Sequence, residues 1–247
     1  MTKSQGKRKV PRQKQEQALC QSPWQKQDAL TKFKAKAGRF DKVSSKKNDM
    51  DIRNQKLEKG HYYHIFNRGI NSCFVFQNKK NKAYFLSKMQ DYLADIAEIV
   101  AYCLMDTHFH ILIRVKEEYT ENFSQEKGLH SSESVVSKQI GKLISSYTFV
   151  FNKMFNRHGS LFESPFKRKK IESEEYLRHL ILYIHLNPEN TLKEVDFKTY
   201  EFSSYRVYIL GEDAQKQELL ELLFFDKDNF EYVHNNLKVS NFEFLGE

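Results

Sequence analysis

Two apolar runs separated by only two residues constrain the fold of this chain more than any other feature. Residues 99–105 (IVAYCLM) are continuously apolar, and residues 108–115 (HFHILIRV) follow directly after Asp106 and Thr107. Short runs rich in β-branched and aromatic residues predict buried strands. Upstream, residues 61–67 (HYYHIFN) predict another strand, and residues 162–171 (FESPFKRKKI) predict a loop that leads into a basic strand.

Segments with helical periodicity separate these strands. Apolar residues recur at helical spacing over 78–96 and over 132–157. A third, shorter helix is expected to begin after Ser173, with Glu174 and Glu175 in its first turn, and to end at Pro188. The order β-α-β-β-α-β-α predicts an α+β fold. We expect a ferredoxin-like or RRM-like antiparallel sheet with helices on one face, plus extra C-terminal helices.

Charge divides the chain into three segments. Residues 1–60 carry a net charge of +11 and residues 201–247 carry −6, while the whole chain carries +8. We predict a disordered basic arm over 1–58, an ordered domain over 59–210, and an acidic, partly helical extension over 211–247. The arm is either a weak, sequence-independent nucleic-acid binder or only a solvated tail.

Cysteine usage and hydropathy restrict the class of protein. The three cysteines have no C-x-x-C spacing, so neither a disulfide framework nor a cysteine zinc site is expected. No segment has the roughly 20 apolar residues of a membrane helix, and the N-terminal residues lack the apolar run of a secretory signal. We therefore expect a cytoplasmic protein that does not bind membranes, and the sequence leaves a homodimer and a monomer open.

The histidines of the 108–115 strand are candidate metal ligands. Strand alternation places His108 and His110 on one face and Phe109, Ile111 and Ile113 on the other. Imidazoles two residues apart on a strand, with Cβ atoms roughly 6–7 Å apart, can bind one divalent ion. Two half-buried histidines with ordinary hydrogen bonds are the alternative.

Several spaced motifs together resemble the HUH nucleases, and more closely the one-tyrosine transposases associated with repetitive extragenic palindromes. The resemblance covers about residues 60–235. It is carried by residues 62–69 (YYHIFNRG), the histidine pair, residues 159–163 (GSLFE) with Phe166-Lys167, residues 183–188 (YIHLNP), and residues 202–205 (FSSY). One departure precedes the histidines: the family usually has Pro-Asn where this chain has Asp106-Thr107.

The resemblance implies a metal-dependent single-strand DNA endonuclease and strand transferase. Tyr183 would be the nucleophile, forming a 5′-phosphotyrosine intermediate near a DNA hairpin. His108 and His110 would hold Mg²⁺ or Mn²⁺, and Asn187 can supply a third ligand. A phenol is weak at neutral pH and needs a base or a cation, for which His179 and His185 are candidates. Tyr176, two turns before Tyr183, is the alternative nucleophile.

Basic residues are the expected DNA contacts. The densest positive cluster of the ordered part comprises Lys167, Arg168, Lys169 and Lys170, and Arg68 follows the first strand. We predict that these side chains bind phosphates of single-stranded or hairpin DNA. Two other functions remain open: a non-enzymatic single-stranded DNA- or RNA-binding protein, and a metal hydrolase that activates water.

Overall fold

Four antiparallel strands form a sheet within the part of the chain that the structure describes. The computed structural model describes residues 51–119, 135–192 and 195–236. The strands are β1 (Tyr62–Arg68), β2 (Ala97–Leu104), β3 (His108–Val115) and β4 (Lys167–Ile171), in the spatial order β2-β3-β1-β4. This is the strand order of a ferredoxin-like sheet, and it confirms the predicted α+β fold.

Seven helices accompany the sheet in these ranges. The first four are α1 (Asp51–Asn54), α2 (Lys79–Leu93), α3 (Val135–Met154) and α4 (Glu174–Thr191). The last three are α5 (Tyr205–Leu210), α6 (Ala214–Phe224) and α7 (Lys227–Asn236). No helix among the described residues is long and apolar enough to cross a membrane.

The main core lies between one face of the sheet and helices α2 and α3. The side chain of Asn78 caps α2 by accepting from the N–H of Asn81 at 3.0 Å. The helical stripes predicted from sequence are buried here, although Met154 at the end of α3 is 57% exposed. Large side chains from both layers meet in this core: Tyr63, Ile65, Phe85, Met89, Phe109, Ile111, Ile113, Ile140, Leu143, Tyr147 and Phe151. Burial of each contributes about 1.5–3 kcal/mol before the entropy cost.

Helix α4 lies over the opposite face of the sheet. Its buried residues run without a break from His179 to Pro188, as expected for a helix that is covered on all sides. The expectation that Pro188 ends this helix is wrong, since α4 continues to Thr191. The last turn is held by the N–H of Leu192 donating to the carbonyl of Pro188, and by the side-chain amide of Asn190 donating to Leu186.

Other segments cover both edges of the sheet. Beside β2, the N–H of Leu104 donates to Phe202 and the N–H of Ser204 donates to Tyr102, both at 3.0 Å. Beside β4, the N–H of Lys170 donates to the side-chain oxygen of Gln55 at 2.9 Å. Residues 202–204 therefore lie where an extra strand would pair with the end of β2, and Gln55 engages one backbone donor of β4.

Residues 51–58 correct the predicted domain boundary. They were expected to end a disordered arm, but α1 is helical and Leu57 is 3% exposed within the main core. The packing partners of Leu57 are distant in sequence, so local composition did not reveal them. Residues 1–50 of the predicted arm lie outside the described residues, as do residues 237–247 of the C-terminal extension. The rest of that extension is more helical than predicted, since α6 and α7 together span most of 214–236.

Candidate histidine–tyrosine site

The register of β1 and β3 gathers the two histidines on the face covered by α4. Phe66 pairs with His110 and Arg68 pairs with His108 across the strands. Paired residues point to the same side of a sheet, so this side is opposite to the main core. The rings of His108 and His110 lie 5.2 Å apart between centroids and are nearly perpendicular. The predicted alternation of β3 is therefore present.

Hydrogen bonds reach both nitrogens of His108. Its Nδ1 lies 3.0 Å from the hydroxyl oxygen of Thr107, and its Nε2 lies 3.2 Å from Oδ1 of Asn187 on α4. A hydroxyl can donate or accept, so Thr107 is compatible with either tautomer of the imidazole. The contact with Oδ1 of Asn187 is a hydrogen bond when Nε2 carries the proton. With the proton on Nδ1 instead, Nε2 and this amide oxygen are adjacent electron-pair donors.

The turn before His108 is held by an ion pair between a buried lysine and a partly exposed aspartate. Nζ of Lys82 lies 2.7 Å from Oδ1 of Asp106 and donates to the hydroxyl of Tyr200 at 2.8 Å. Tyr200 in turn donates to the carbonyl of Leu104 at 2.7 Å. Asp106 and Thr107 stand where the family that the sequence resembles usually has Pro-Asn. Asp106 holds the turn through Lys82, and Thr107 contacts His108.

His110 is enclosed by aromatic side chains. It is 1% exposed, and its Nδ1 lies 2.9 Å from Nε2 of His64. The His64 ring stacks on that of His110 at 5.1 Å and on that of Phe66 at 4.5 Å. His64 was not predicted as a site residue. Strand alternation places His64, Phe66 and Arg68 on one face of β1. Only the register between β1 and β3 shows that this face also carries His108 and His110.

Tyr183 approaches the histidine pair from α4. Its ring lies edge-on to His110, with centroids 5.3 Å apart, and the residue is 8% exposed. Asn187 follows one helical turn later on the same side, where it meets His108. Four of the residues singled out from the sequence, namely His108, His110, Tyr183 and Asn187, therefore lie together.

The two further histidines of α4 differ in their surroundings. Nδ1 of His179 donates to the carbonyl of Glu175 at 2.7 Å, and burial lowers its pKa. His185 points away from the pair, toward Ser204 on one side and His234 of α7 on the other. Both ring nitrogens of His185 are thus engaged in a separate buried network, which leaves His179 as the candidate base.

Tyr176 is poorly suited to the role of nucleophile. Burial raises the pKa of its phenol, which makes the phenolate harder to form. Nζ of Lys169 lies 5.0 Å from the centre of its ring, a cation–π contact that involves the face of the ring and not the oxygen.

The predicted basic cluster divides between the two faces of the sheet. Lys167 pairs with Phe66 and Lys169 with His64, so both lie on the histidine face. Burial lowers the pKa of Lys169. Lys170 forms an ion pair with Glu58 at 2.6 Å. Arg68 is half exposed, 3.8 Å from the carboxylate of Glu163.

Arg168 corrects one prediction. It was expected to bind phosphate, but it pairs with Ile65, faces the main core and is only 6% exposed. Its guanidinium donates to the hydroxyl of Ser137 at 2.6 Å and to the carbonyl of Arg53 at 2.8 Å. The side chain is therefore a structural contact between β4, α3 and α1.

The donor atoms at the histidine pair suit a divalent ion of intermediate hardness. They are two imidazole nitrogens and one amide oxygen, in a largely buried setting. Over the described ranges, no group of three or more His, Cys, Asp or Glu side chains is arranged to hold a metal. A metal site here therefore depends on the amide of Asn187, and on DNA or water for its other ligands.

Comparison with known proteins finds similarity to solved structures. No protein-family model matches the chain, and no curated protein matches it in sequence. Among solved structures, the chain is similar to a REP-associated tyrosine transposase bound to a REP hairpin. The TM-score is 0.47 and the sequence identity is 14%, over 63% of this chain and 83% of that chain.

Proposed function

We propose that this protein cuts and rejoins single-stranded DNA, with Tyr183 as the nucleophile and a divalent metal at His108, His110 and Asn187. One observation carries the proposal. A single helix brings a phenol to His110 at 5.3 Å between ring centroids and an amide oxygen to within 3.2 Å of His108. A nucleophile and three candidate ligands thus meet on one face of the sheet, as phosphoryl transfer to a side chain requires.

The chemistry follows from the groups on α4. The oxygen of Tyr183 bonds to phosphorus while the bond from phosphorus to the 3′-oxygen breaks. The phenol proton passes to Nε2 of His179, which is the basic nitrogen because Nδ1 donates to Glu175. The departing 3′-oxygen takes a proton from water and becomes a hydroxyl. When bound, a divalent ion such as Mg²⁺ or Mn²⁺ would neutralise charge that develops on the phosphoryl oxygens.

Rejoining reverses the same step. The 5′-phosphotyrosine bond retains the energy of the original phosphodiester, so the 3′-hydroxyl of a second strand can attack phosphorus and release Tyr183. No nucleotide cofactor is needed. Hairpin DNA is the proposed substrate because of the sequence resemblance given above.

The two alternatives have less support. An RNA-recognition sheet stacks bases on an open aromatic face, whereas Phe66, His64 and His110 are buried beneath α4. A metal hydrolase would need a carboxylate beside the pair, and the nearby Asp106 is engaged with Lys82. One assay separates the three functions: incubation with hairpin DNA and Mn²⁺, followed by denaturing electrophoresis. A covalent adduct supports the transferase, cleavage alone supports the hydrolase, and neither product supports the binding protein.

We expect His108→Ala and His110→Ala to abolish cleavage and adduct formation. DNA affinity should stay within a few-fold, because it depends on phosphate contacts elsewhere. Adduct yield on gels and fluorescence anisotropy with a labelled hairpin measure the two quantities. His158→Ala, at an exposed histidine, is the matched control. Wild-type cleavage by both site variants would refute the proposed metal site.

Adjacent residues of β4 provide a paired test of DNA contact. Lys167→Gln should weaken binding and reduce the slope of log K against log salt by about one, without changing thermal stability. Arg168→Met should instead destabilise the fold by about 1.5–3 kcal/mol, the typical loss when a charged hydrogen-bonded group is removed. Salt titrations and urea denaturation measure these effects. An unchanged salt slope for Lys167→Gln would show that this lysine does not contact phosphate.

A further inference from the structure

We propose, on the basis of the function above, that His64 is a positioning residue that fixes the tautomer and orientation of His110. The contact joins two ring nitrogens: Nε2 of His64 lies 2.9 Å from Nδ1 of His110. Neither nitrogen belongs to the ligand set of the proposed metal site. His64 thus acts on the site through another residue.

The direction of this hydrogen bond decides what His110 can do. If Nδ1 of His110 donates to His64, then Nε2 of His110 carries an electron pair and can bind a metal. If His64 donates instead, Nε2 of His110 is protonated and cannot be a ligand. We assign the first arrangement, with the proton of His64 on its own Nδ1. Metal-binding histidines commonly donate their second ring nitrogen to such a partner.

Packing makes the contact rigid. His64 is 2% exposed and its ring contacts those of both Phe66 and His110, with interplanar angles of 24° and 25°. Both partners are held by strand pairing, since Phe66 lies directly opposite His110 in the register of β1 and β3. A buried hydrogen bond, in a low-dielectric environment, is electrostatically stronger than one in water. His108 and His110 therefore differ in how their tautomers are set. His64 fixes the tautomer of His110, whereas the hydroxyl of Thr107 is compatible with either tautomer of His108.

The test compares replacements that keep or remove the acceptor at Nε2. His64→Gln can place an amide oxygen near that position and accept from His110, whereas His64→Phe keeps the stacked ring and lacks an acceptor. Mn²⁺ affinity of the full chain, measured by calorimetry without DNA, should fall about 10- to 100-fold in His64→Phe and stay within a few-fold in His64→Gln. His64→Leu serves as a second variant without an acceptor if the phenylalanine does not fit. Thermal melting checks that each variant is folded.

A spectroscopic measurement on metal-free protein tests the tautomer directly. Nitrogen-15 chemical shifts of the imidazoles should show His110 protonated at Nδ1 in the wild type and in His64→Gln. In His64→Phe the two tautomers should become mixed. Protonation of His110 at Nε2 in the wild type, or equal Mn²⁺ affinity of wild type and His64→Phe, would overturn this inference and leave the proposed function standing. Absence of Mn²⁺ binding by the wild type would instead overturn the metal site itself.

Discussion

Replacement of Tyr183 by phenylalanine is expected to eliminate the covalent protein–DNA adduct, a loss of at least a thousand-fold in adduct yield. The change removes the one oxygen that would bond to phosphorus. It retains the ring that packs edge-on against His110. Stability should change by no more than the contribution of one hydrogen bond, about 1 kcal/mol. The measurements are a DNA-dependent shift of the boiled protein on a denaturing gel and a thermal melt.

Tyr176→Phe is the matched control for this experiment. Both tyrosines lie on α4, but two helical turns displace their oxygens by roughly 10 Å along the helix, far beyond the 3–3.5 Å or so of a near-attack contact. The control should form the adduct at the wild-type level. Mass spectrometry of the modified peptide then identifies the linked residue. DNA found on Tyr176, or an adduct formed by Tyr183→Phe, would show that the nucleophile is assigned wrongly.

Stability should decrease steeply as pH falls below about 6.5, because two neutral histidines are buried between α4 and α7. Nδ1 of His234 donates to the carbonyl of Phe230 at 2.7 Å, so its Nε2 accepts from His185 at 3.0 Å. The remaining nitrogen of His185 accepts from the hydroxyl of Ser204 at 2.9 Å. A proton added to either ring would remove an acceptor from this chain of hydrogen bonds.

The pKa values fix the sign of this effect. Burial lowers the pKa of His234 to about 3. Burial, and then repulsion from His234, lower the pKa of His185 well below its usual value. The unfolded chain therefore binds more protons than the folded protein below about pH 6.5, and stability is lost as pH falls from there toward the folded pKa values. Each additional proton bound by the unfolded state costs about 1.4 kcal/mol per pH unit. Tyr205 and Tyr208 pack on the pair but remain neutral, since burial raises the pKa of both phenols.

Urea denaturation between pH 7 and pH 4.5 measures this dependence. His234→Gln removes one titrating group and can keep an acceptor for His185, so its stability should decrease less with acid than that of the wild type. His158→Gln, at an exposed histidine, should leave the wild-type dependence unchanged. Equal free energies of unfolding for the wild type at pH 6.5 and pH 5 would contradict the assigned neutral pair.

The sequence predicted the elements of the fold better than it predicted the contacts between them. Alternation along β3 was enough to separate His108 and His110 from the core residues of the same strand. Alternation alone could not tell which face of β4 is buried, because that depends on its pairing with β1. Arg168 was assigned to the wrong environment for this reason, and the contact between His64 and His110 was not visible.

The wrong prediction at Pro188 has a different cause. A proline inside a helix removes one backbone hydrogen bond, and this local cost predicted an end to the helix. Burial of α4 against the sheet outweighs that cost, and the turn that continues past Pro188 is the one that holds Asn187 beside His108. The expectation that proline ends a helix therefore failed where the helix packs against the sheet beside the candidate site.

The covered edges of the sheet restrict how two copies of this protein can associate. Strand-by-strand addition between copies needs a row of open backbone donors and acceptors. In the described ranges, residues 202–204 engage the backbone of β2 and Gln55 engages that of β4. A continuous sheet shared by two protomers would have to displace one of these segments. Among the described residues, a homodimer that retains these edge contacts would therefore use helix surfaces and side chains instead of strand pairing at residues 102–104 or at Lys170.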